Sequence, residues 1–289
     1  MTTRRAFFQA SAGLGLAVGG ITLLNPATAH ADALTERIQR NLNGLGYNAG
    51  TVTGTLTAAT IAAVKRLQAD NRLTQDGQPG NITQAVLAAR VSLVQNRAGV
   101  PHDSSYGSGT TAAVRAYQLS KGLVADGIAG ANTHKAMAIT RVVGAGTSAI
   151  GGSIKRTEII QRAAYWPTIR LGYSQAKYFR DLTNSKTYRQ DCSGQVSNAF
   201  HATTSYSTRT LSQITTLITK TQLLPGDILN SYDYHTVVFC GWFDSSRTSY
   251  YSMEQSGSLG AVARRVNPYP FFGLGSNWQP RRYTKVLWG

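Results

Sequence analysis

The stretch Asp191-Cys192-Ser193-Gly194 places a cysteine where a helix is predicted to begin. Apolar residues follow at helical spacing and predict one buried face, at Val196, Ala199 and Phe200. A helix N-terminus carries roughly half a positive charge, which stabilises a thiolate at Cys192, and Asp191 can cap the helix there. Gly194 is expected to leave room for a substrate backbone beside the sulfur.

A histidine begins the apolar run Thr236-Val237-Val238-Phe239, more than forty residues after the cysteine. The imidazole of His235 can take the thiol proton of Cys192 and so hold the cysteine in its nucleophilic form. A cysteine nucleophile with a histidine on a strand is the arrangement of papain-like chemistry. We therefore predict Cys192 as the nucleophile and His235 as its general base.

A third polar residue is predicted from strand pairing. The strand after His235 is expected to form a hairpin with the four-residue turn Asp244–Arg247, so paired residues sum to 491 and Glu254 lies opposite Val237. That position shares the face of His235, one diagonal neighbour or about 7 Å away. Glu254 is thus expected to orient the imidazole, although a turn with an odd number of residues would give this position to Gln255.

The chain has two cysteines, Cys192 and Cys240. In an exported protein two cysteines commonly form a disulfide. Cys240, however, lies five residues from His235, an odd number that turns it to the opposite face of the strand. We expect a buried and unreactive thiol at Cys240.

The first half of the chain contains an internal duplication. Ala62-Ala63-Val64-Lys65-Arg66-Leu67-Gln68 recurs fifty residues later as Ala112-Ala113-Val114-Arg115-Ala116-Tyr117-Gln118. The register continues without a gap through Asp76-Gly77 and Asp126-Gly127, which are turn dipeptides, to Thr83 and Thr133. Each copy predicts three short helices.

This repeat resembles the three-helix peptidoglycan-binding module, with copies at 34–90 and 91–140. Units of about fifty residues bury little core alone, so the two copies are expected to pack on each other. The alternative is that they are folded spacers without a binding groove. Residues 141–154 are rich in glycine and small residues and predict a flexible linker.

Residues 155–289 resemble an NlpC-type cell-wall cysteine peptidase domain, because Asp191–Gly194 is joined by the turn Leu224–Asp227 and the strand that His235 begins. The resemblance implies a papain-like fold, in which the cysteine helix packs on an antiparallel sheet, and an α+β class overall. It further implies that Tyr173, Asp191 and Ser193 contact the substrate. Helices are predicted over 157–165 and 211–219.

Two departures from the family pattern bear on the bond that is cleaved. Gln195 stands where a large apolar residue is usual. Glu254 stands where His, Asn or Gln is more frequent, and in this respect the chain is nearer to the related CHAP amidases. The sequence contains no histidine cluster or His-x-His pair, so neither a metal nor another cofactor is expected.

The N-terminus predicts an export signal over residues 1–31. Arg4-Arg5 precedes a short apolar run and the small-x-small pattern Ala29-His30-Ala31, which resembles a twin-arginine signal. An ordinary secretory signal and an uncleaved anchor are the alternatives, although the run is shorter than the about 20 residues of a spanning helix. Cleavage after residue 31 removes two arginines, leaving a charge of 16 − 2 = +14.

The formal charge of +16 suits anionic wall polymers as partners, and no nucleic-acid motif accompanies it. Taken together, these features predict a secreted, wall-associated, monomeric peptidoglycan hydrolase that cleaves amide bonds in stem peptides. The alternatives are a wall-binding protein whose papain-like domain is inactive, and an amidase or acyltransferase that acts on another wall component.

Overall fold

The computed structural model describes residues 26–271 and 277–289. Residues 1–25 of the predicted export signal lie outside the described part. The helices are α1 Pro26–Gly44, α2 Ala58–Asp70, α3 Asn81–Arg97, α4 Ser108–Ser120, α5 Ala131–Ala136, α6 Arg156–Thr168 and α7 Cys192–Ala199. The strands are β1 Ile154–Lys155, β2 Ser174–Arg180, β3 Thr187–Gln190, β4 Thr215–Leu217, β5 Ile228–Ser231, β6 Thr236–Trp242, β7 Ser249–Ser256, β8 Gly260–Pro268, β9 Trp278–Tyr283 and β10 Val286–Leu287. The predicted α+β class is confirmed.

The helical half is held together by buried glutamines that clasp the loops between helices. The side-chain amide of Gln118 donates to Asp126, to the carbonyl of Ile128 and to the hydroxyl of Thr133, and its oxygen accepts the N–H of Gly127. The same clasp occurs in three further loops, with the glutamine and threonine pairs Gln39 and Thr60, Gln68 and Thr83, and Gln95 and Thr110.

The four glutamine contacts show that the repeating unit is shorter than the fifty-residue period. Two of the four glutamines, Gln68 and Gln118, are related by the fifty-residue period, and the other two lie between or before them. The repeating unit is therefore one helix and its loop, and α3 serves as the last helix of the first copy and the first helix of the second. Because α3 is shared, the two copies form one body with one core.

The second half is built on a six-stranded sheet with the order β4-β9-β5-β6-β7-β8, in which all neighbours are antiparallel. Helices α6 and α7 pack on one face, where Val238, Cys240 and Met253 of the sheet are buried. The opposite face carries a separate cluster that contains Val237 and Phe239. As predicted, the cysteine helix lies on an antiparallel sheet.

The two halves share a core through α3. Every residue from Thr83 to Gln95 is buried, so this helix has no solvent-facing side over those three turns. Val86 and Ala89 pack in the cluster of the sheet and α6, while Leu87 and Val91 pack among the other helices. The helical repeats are thus docked on the sheet rather than tethered to it.

The prediction of a flexible linker over residues 141–154 is wrong, because side chains of the second half hold this segment. The segment contacts His201, which follows α7: the carbonyl oxygen of Ser148 lies 2.9 Å from the imidazole Nδ1. The hydroxyl of Ser148 also donates to Glu158 (2.6 Å), which pairs with the buried Arg162. Glycine and serine composition predicted flexibility, but these buried polar groups hold the segment in place.

The helix predicted over 211–219 is also wrong. Only Leu211–Gln213 forms a single helical turn, and the chain continues as strand β4, which pairs with β9. Isoleucine and threonine dominate residues 214–219, and such β-branched side chains favour a strand. In the described residues, no helix is both long enough and apolar enough to cross a membrane.

Candidate active site

Cys192 is the first residue of α7, and its side chain is almost buried, with 8% of the residue exposed. Asp191 caps the helix, because its carboxylate accepts the N–H of Gly194 at 2.7 Å. Gly194 was expected to leave room for a substrate backbone, and this expectation was wrong. A Cβ at this position would lie 1.8 Å from the carbonyl oxygen of Arg189, so the glycine lets α7 approach β3 rather than admitting a substrate.

His235, immediately before β6, lies between the thiol and a carboxylate. Its imidazole lies beside the thiol of Cys192, and its Nε2 is hydrogen-bonded to Glu254. The ring packs against Phe271 (5.4 Å between centroids) and Trp278 (6.3 Å), which fix its orientation. Burial lowers the pKa of His235, but the hydrogen bonds and charges of Cys192 and Glu254 outweigh it and raise this pKa to about 9.

Glu254 lies beside His235 because the hairpin differs from the predicted one in two ways whose effects on the register cancel. The hairpin loop has five residues, 244–248, instead of four, because Phe243 donates its N–H to the carbonyl of Ser249 (2.8 Å). An odd loop alone would turn Glu254 to the other face. A β-bulge that ends at Gly241, where φ is +139°, takes up the extra residue.

Beyond the bulge the predicted register holds, since Val238 pairs with Met253. The next residue, Glu254, therefore lies level with Val237 on the face of His235. Gln255 points the other way, and its amide donates to the carbonyl of Gly172 at 2.7 Å. Of the two residues that the sequence left open, Glu254 is the one that contacts the imidazole.

Asp191 and Ser193 are held by a residue that the sequence did not single out. Arg189, on β3, donates to the carboxylate of Asp191 (2.5 Å) and to the hydroxyl of Ser193 (3.0 Å). Both side chains are buried and have these partners within the protein. Their contact with a substrate stays a prediction. The side chain of Arg189 is itself partly exposed, at 22%.

Tyr173 lies beside the same group. Burial raises the pKa of Tyr173, and the nearby Cys192 and Asp191 raise it further. Its hydroxyl accepts a hydrogen bond from Gln175 (3.1 Å), and its ring lies about 4 Å from a Cβ placed on Gly257. The half-buried ring therefore lies against the turn between β7 and β8.

The turn Leu224–Asp227 holds the start of β5, the strand that pairs with β6. Asp227 is fully buried and pairs with Arg156 of α6 (2.9 Å) and Arg282 of β9 (2.8 Å). Its carboxylate also accepts the N–H of Leu224 (2.9 Å). These contacts fix the start of β5, next to the strand that His235 precedes.

The second cysteine takes no part in this arrangement. Cys240 is fully buried on the helix-facing side of β6, and both it and Cys192 are free thiols. Burial raises the pKa of the Cys240 thiol far above its usual range. Within the described residues no group of three or more His, Cys, Asp or Glu side chains is arranged to hold a metal ion.

Chemically, a thiol beside an imidazole whose pKa is raised and whose other side meets a buried carboxylate can pass its proton to that imidazole. The thiolate is a nucleophile for a carbonyl carbon, and the imidazolium is a proton donor for a leaving group. The first turn of α7 adds backbone N–H groups that have no acceptor within the helix.

Comparison with known proteins bears on the helical half. A family model described as "Putative peptidoglycan binding domain" matches the chain twice, at residues 32–87 and 93–137. No curated protein and no solved structure matched the chain. The two matches meet within α3, the helix shared by both copies, and they support tandem peptidoglycan-binding modules in the first half of the chain.

Proposed function

We propose that this protein is a peptidoglycan hydrolase that cleaves amide bonds of stem peptides through a thioester intermediate. The observation that carries the proposal is that His235 lies beside Cys192 and is hydrogen-bonded to Glu254, in a chain that also contains two peptidoglycan-binding matches. A protein that only binds the wall has no requirement for a thiol and an imidazole in contact.

In the first step, the thiolate sulfur of Cys192 attacks the carbonyl carbon of the scissile amide. The negative charge moves to the carbonyl oxygen, to which the backbone N–H of Cys192 can donate at the start of α7. The imidazolium of His235 then gives its proton to the leaving nitrogen. The C–N bond breaks, an amine departs, and a thioester joins the acyl group to the sulfur.

In the second step, neutral His235 takes a proton from a water molecule as the water oxygen attacks the thioester. The C–S bond breaks, a carboxylic acid leaves, and the thiolate and imidazolium are restored. Glu254 keeps the imidazole in one orientation throughout and stabilises its charged form. The balance of the two steps is one water consumed for each amide bond broken.

The location of the protein follows from the same proposal. A protein that cleaves stem peptides acts outside the cytoplasmic membrane, and the Arg4-Arg5 segment with Ala29-His30-Ala31 suits export by the twin-arginine route. After cleavage, the charge of 16 − 2 = +14 favours retention by anionic wall polymers.

The test is a digest of purified muropeptides, analysed by mass spectrometry. We expect pairs of new fragments whose masses add up to that of the substrate plus one water, and no such fragments with Cys192→Ala. Cys240→Ser is the matched control and should keep most of the activity. The fragments also identify the bond, and so distinguish an endopeptidase from an amidase that releases the whole stem. Equal digestion by wild type and Cys192→Ala would rule out the thiol mechanism.

A further inference from the structure

A groove with a volume of about 810 Å³ lies between the first helical repeat and the sheet half. One wall is the connection between α2 and α3, which includes Thr74, Gln78 and Asn81. The other wall is formed by the last two residues of α6, by residues 170–173 after it, and by Gly257 and residues 259–263 of the β7–β8 hairpin. The volume is within the range of about 300–1,000 Å³ that is typical of small-molecule sites.

One wall of the groove is connected to the candidate active site. Tyr173 lines this groove, and the amide of Gln255 reaches the segment before the cysteine, because it donates to the carbonyl of Gln190 (3.5 Å), two residues before Cys192. Gln255, the neighbour of Glu254, holds this wall by donating to the carbonyl of Gly172, and Ala261 donates its N–H to the carbonyl of Leu171 (2.9 Å). The wall is thus tied to the strand that carries Glu254.

The repeat wall differs from its own copy in the chain. Fifty residues after Thr74, Gln78 and Asn81, the second copy has Val124, Ile128 and Ala131. The three polar residues are exposed in the groove, whereas Val124 in the second copy is 82% exposed outside it. Hydroxyl and amide groups therefore occur in the copy whose loop faces the sheet half.

The chemistry of the walls is mostly neutral. Among the described residues that line the groove, charge is carried by Asp76 and Arg170, and Asp76 is hydrogen-bonded within its own loop to Gln68 and to the N–H of Gln78. Leu73 and Leu259 add apolar surface, and Leu259 is 55% exposed. Neutral donors and acceptors with apolar patches suit the hydroxyl and acetamido groups of an amino-sugar polymer better than a charged stem peptide.

We infer that this groove binds the glycan strand of peptidoglycan, so that the first repeat and the sheet half together position a stem peptide at Cys192. The inference rests on the proposed function for its substrate. It assigns to the first repeat a part in substrate positioning, because its loop and the active-site tyrosine line the same groove.

The test compares two tryptophan substitutions at the same place in the two copies. Asn81 and Ala131 are each the first residue of a helix, α3 and α5, and each follows a glycine. Asn81→Trp fills the groove, whereas Ala131→Trp adds the same side chain outside it. Leu259→Asn is a second groove variant, which changes the opposite wall, and Leu217→Asn on β4 is its exposed control.

The first measurement is hydrolysis of one stem peptide with and without its disaccharide. We expect the ratio of kcat/KM, with glycan over without, to fall at least fivefold in Asn81→Trp and Leu259→Asn and to stay at the wild-type value in both controls. Thermal melts check that each variant is folded. An unchanged ratio in both folded groove variants would overturn the inference while leaving the proposed function intact.

The second measurement needs no catalysis. Glycan strands stripped of their stem peptides are titrated into Cys192→Ala protein by calorimetry, alone and with each substitution added. We expect binding to weaken at least fivefold with Asn81→Trp and not with Ala131→Trp. Equal binding by these two proteins would overturn the inference, even if the wild type hydrolysed no peptide at all.

Discussion

The carboxylate of Glu254 is hydrogen-bonded to Nε2 of His235, which lies nineteen positions earlier, immediately before the neighbouring strand β6. Glu254 is almost fully buried, so its charge acts on the imidazole through a medium of low dielectric constant. This contact and the contact with Cys192 together keep the imidazole protonated well above the pH at which a free histidine loses its proton.

The pH dependence of the reaction follows from this contact. The imidazolium is the proton donor, so activity should fall as the pH rises through the pKa of His235, about 9. Glu254→Gln removes one interaction that raises this pKa, so the alkaline limb should move to lower pH and kcat/KM should fall at least about tenfold. The measurement is a pH profile of kcat/KM, with the exposed Glu36→Gln as control. An alkaline limb at the wild-type pH in Glu254→Gln would contradict this role.

The two thiols should differ in reactivity. Cys192 lies beside the imidazole of His235, whereas Cys240 is fully buried, and this burial raises the pKa of its thiol. At neutral pH, iodoacetamide should modify Cys192 at least about tenfold faster than Cys240, as measured by peptide mass spectrometry over time. His235→Ala should slow the modification of Cys192, since the thiol loses the neighbouring imidazole that can accept its proton. Both cysteines should react alike in denaturant, and faster modification of Cys240 in the native protein would contradict the assignment.

The parts of the site that the sequence predicts are those set by local patterns. Cys192 begins a helix because Asp191 caps it, and Glu254 follows from strand alternation. The loop length was wrong and the bulge at Gly241 was not foreseen, yet the two cancel. Neither leaves a pattern in the sequence that distinguishes an extra loop residue from an extra strand residue.

The remaining parts depend on contacts between distant segments. Trp278 reaches His235 because β9 lies between β4 and β5 in the sheet, an order that periodicity does not reveal. Arg189 resembles any other arginine until β3 meets α7. The fifty-residue period indicated two modules, but only the absence of a polar face on α3 indicates a second buried side. That signal was present and was missed.

Gly241 has two structural roles. It lies at the β-bulge that sets the register of Glu254, and it is where β6 closely approaches the helical repeats. A Cβ at this position would lie 2.5 Å from the hydroxyl of Ser104 and 2.8 Å from that of Ser92 on α3, and φ is +139°. Gly241→Ala should therefore lower the free energy of unfolding by about 2–4 kcal/mol through strain and overpacking. Gly109→Ala on α4, where a Cβ meets nothing within 4 Å, is the control and should not destabilise. Urea denaturation measures both, and equal stabilities would refute the packing argument.

Because the two halves share a core, we expect that neither half forms a stable structure when it is separated from the other. A chain of residues 155–289 lacks α3 and exposes the sheet and α6 surface that Val86 and Ala89 cover. We expect this fragment to bind a hydrophobic dye and to aggregate, whereas residues 32–289 should melt cooperatively like the full chain. The point variant Val86→Asp tests the same surface in the intact chain, because it buries an unpaired charge and should cost several kcal/mol. Size-exclusion chromatography, dye fluorescence and thermal melts provide the readouts. A monomeric 155–289 fragment with the melting temperature of the full chain would show that the repeats are a detachable anchor after all.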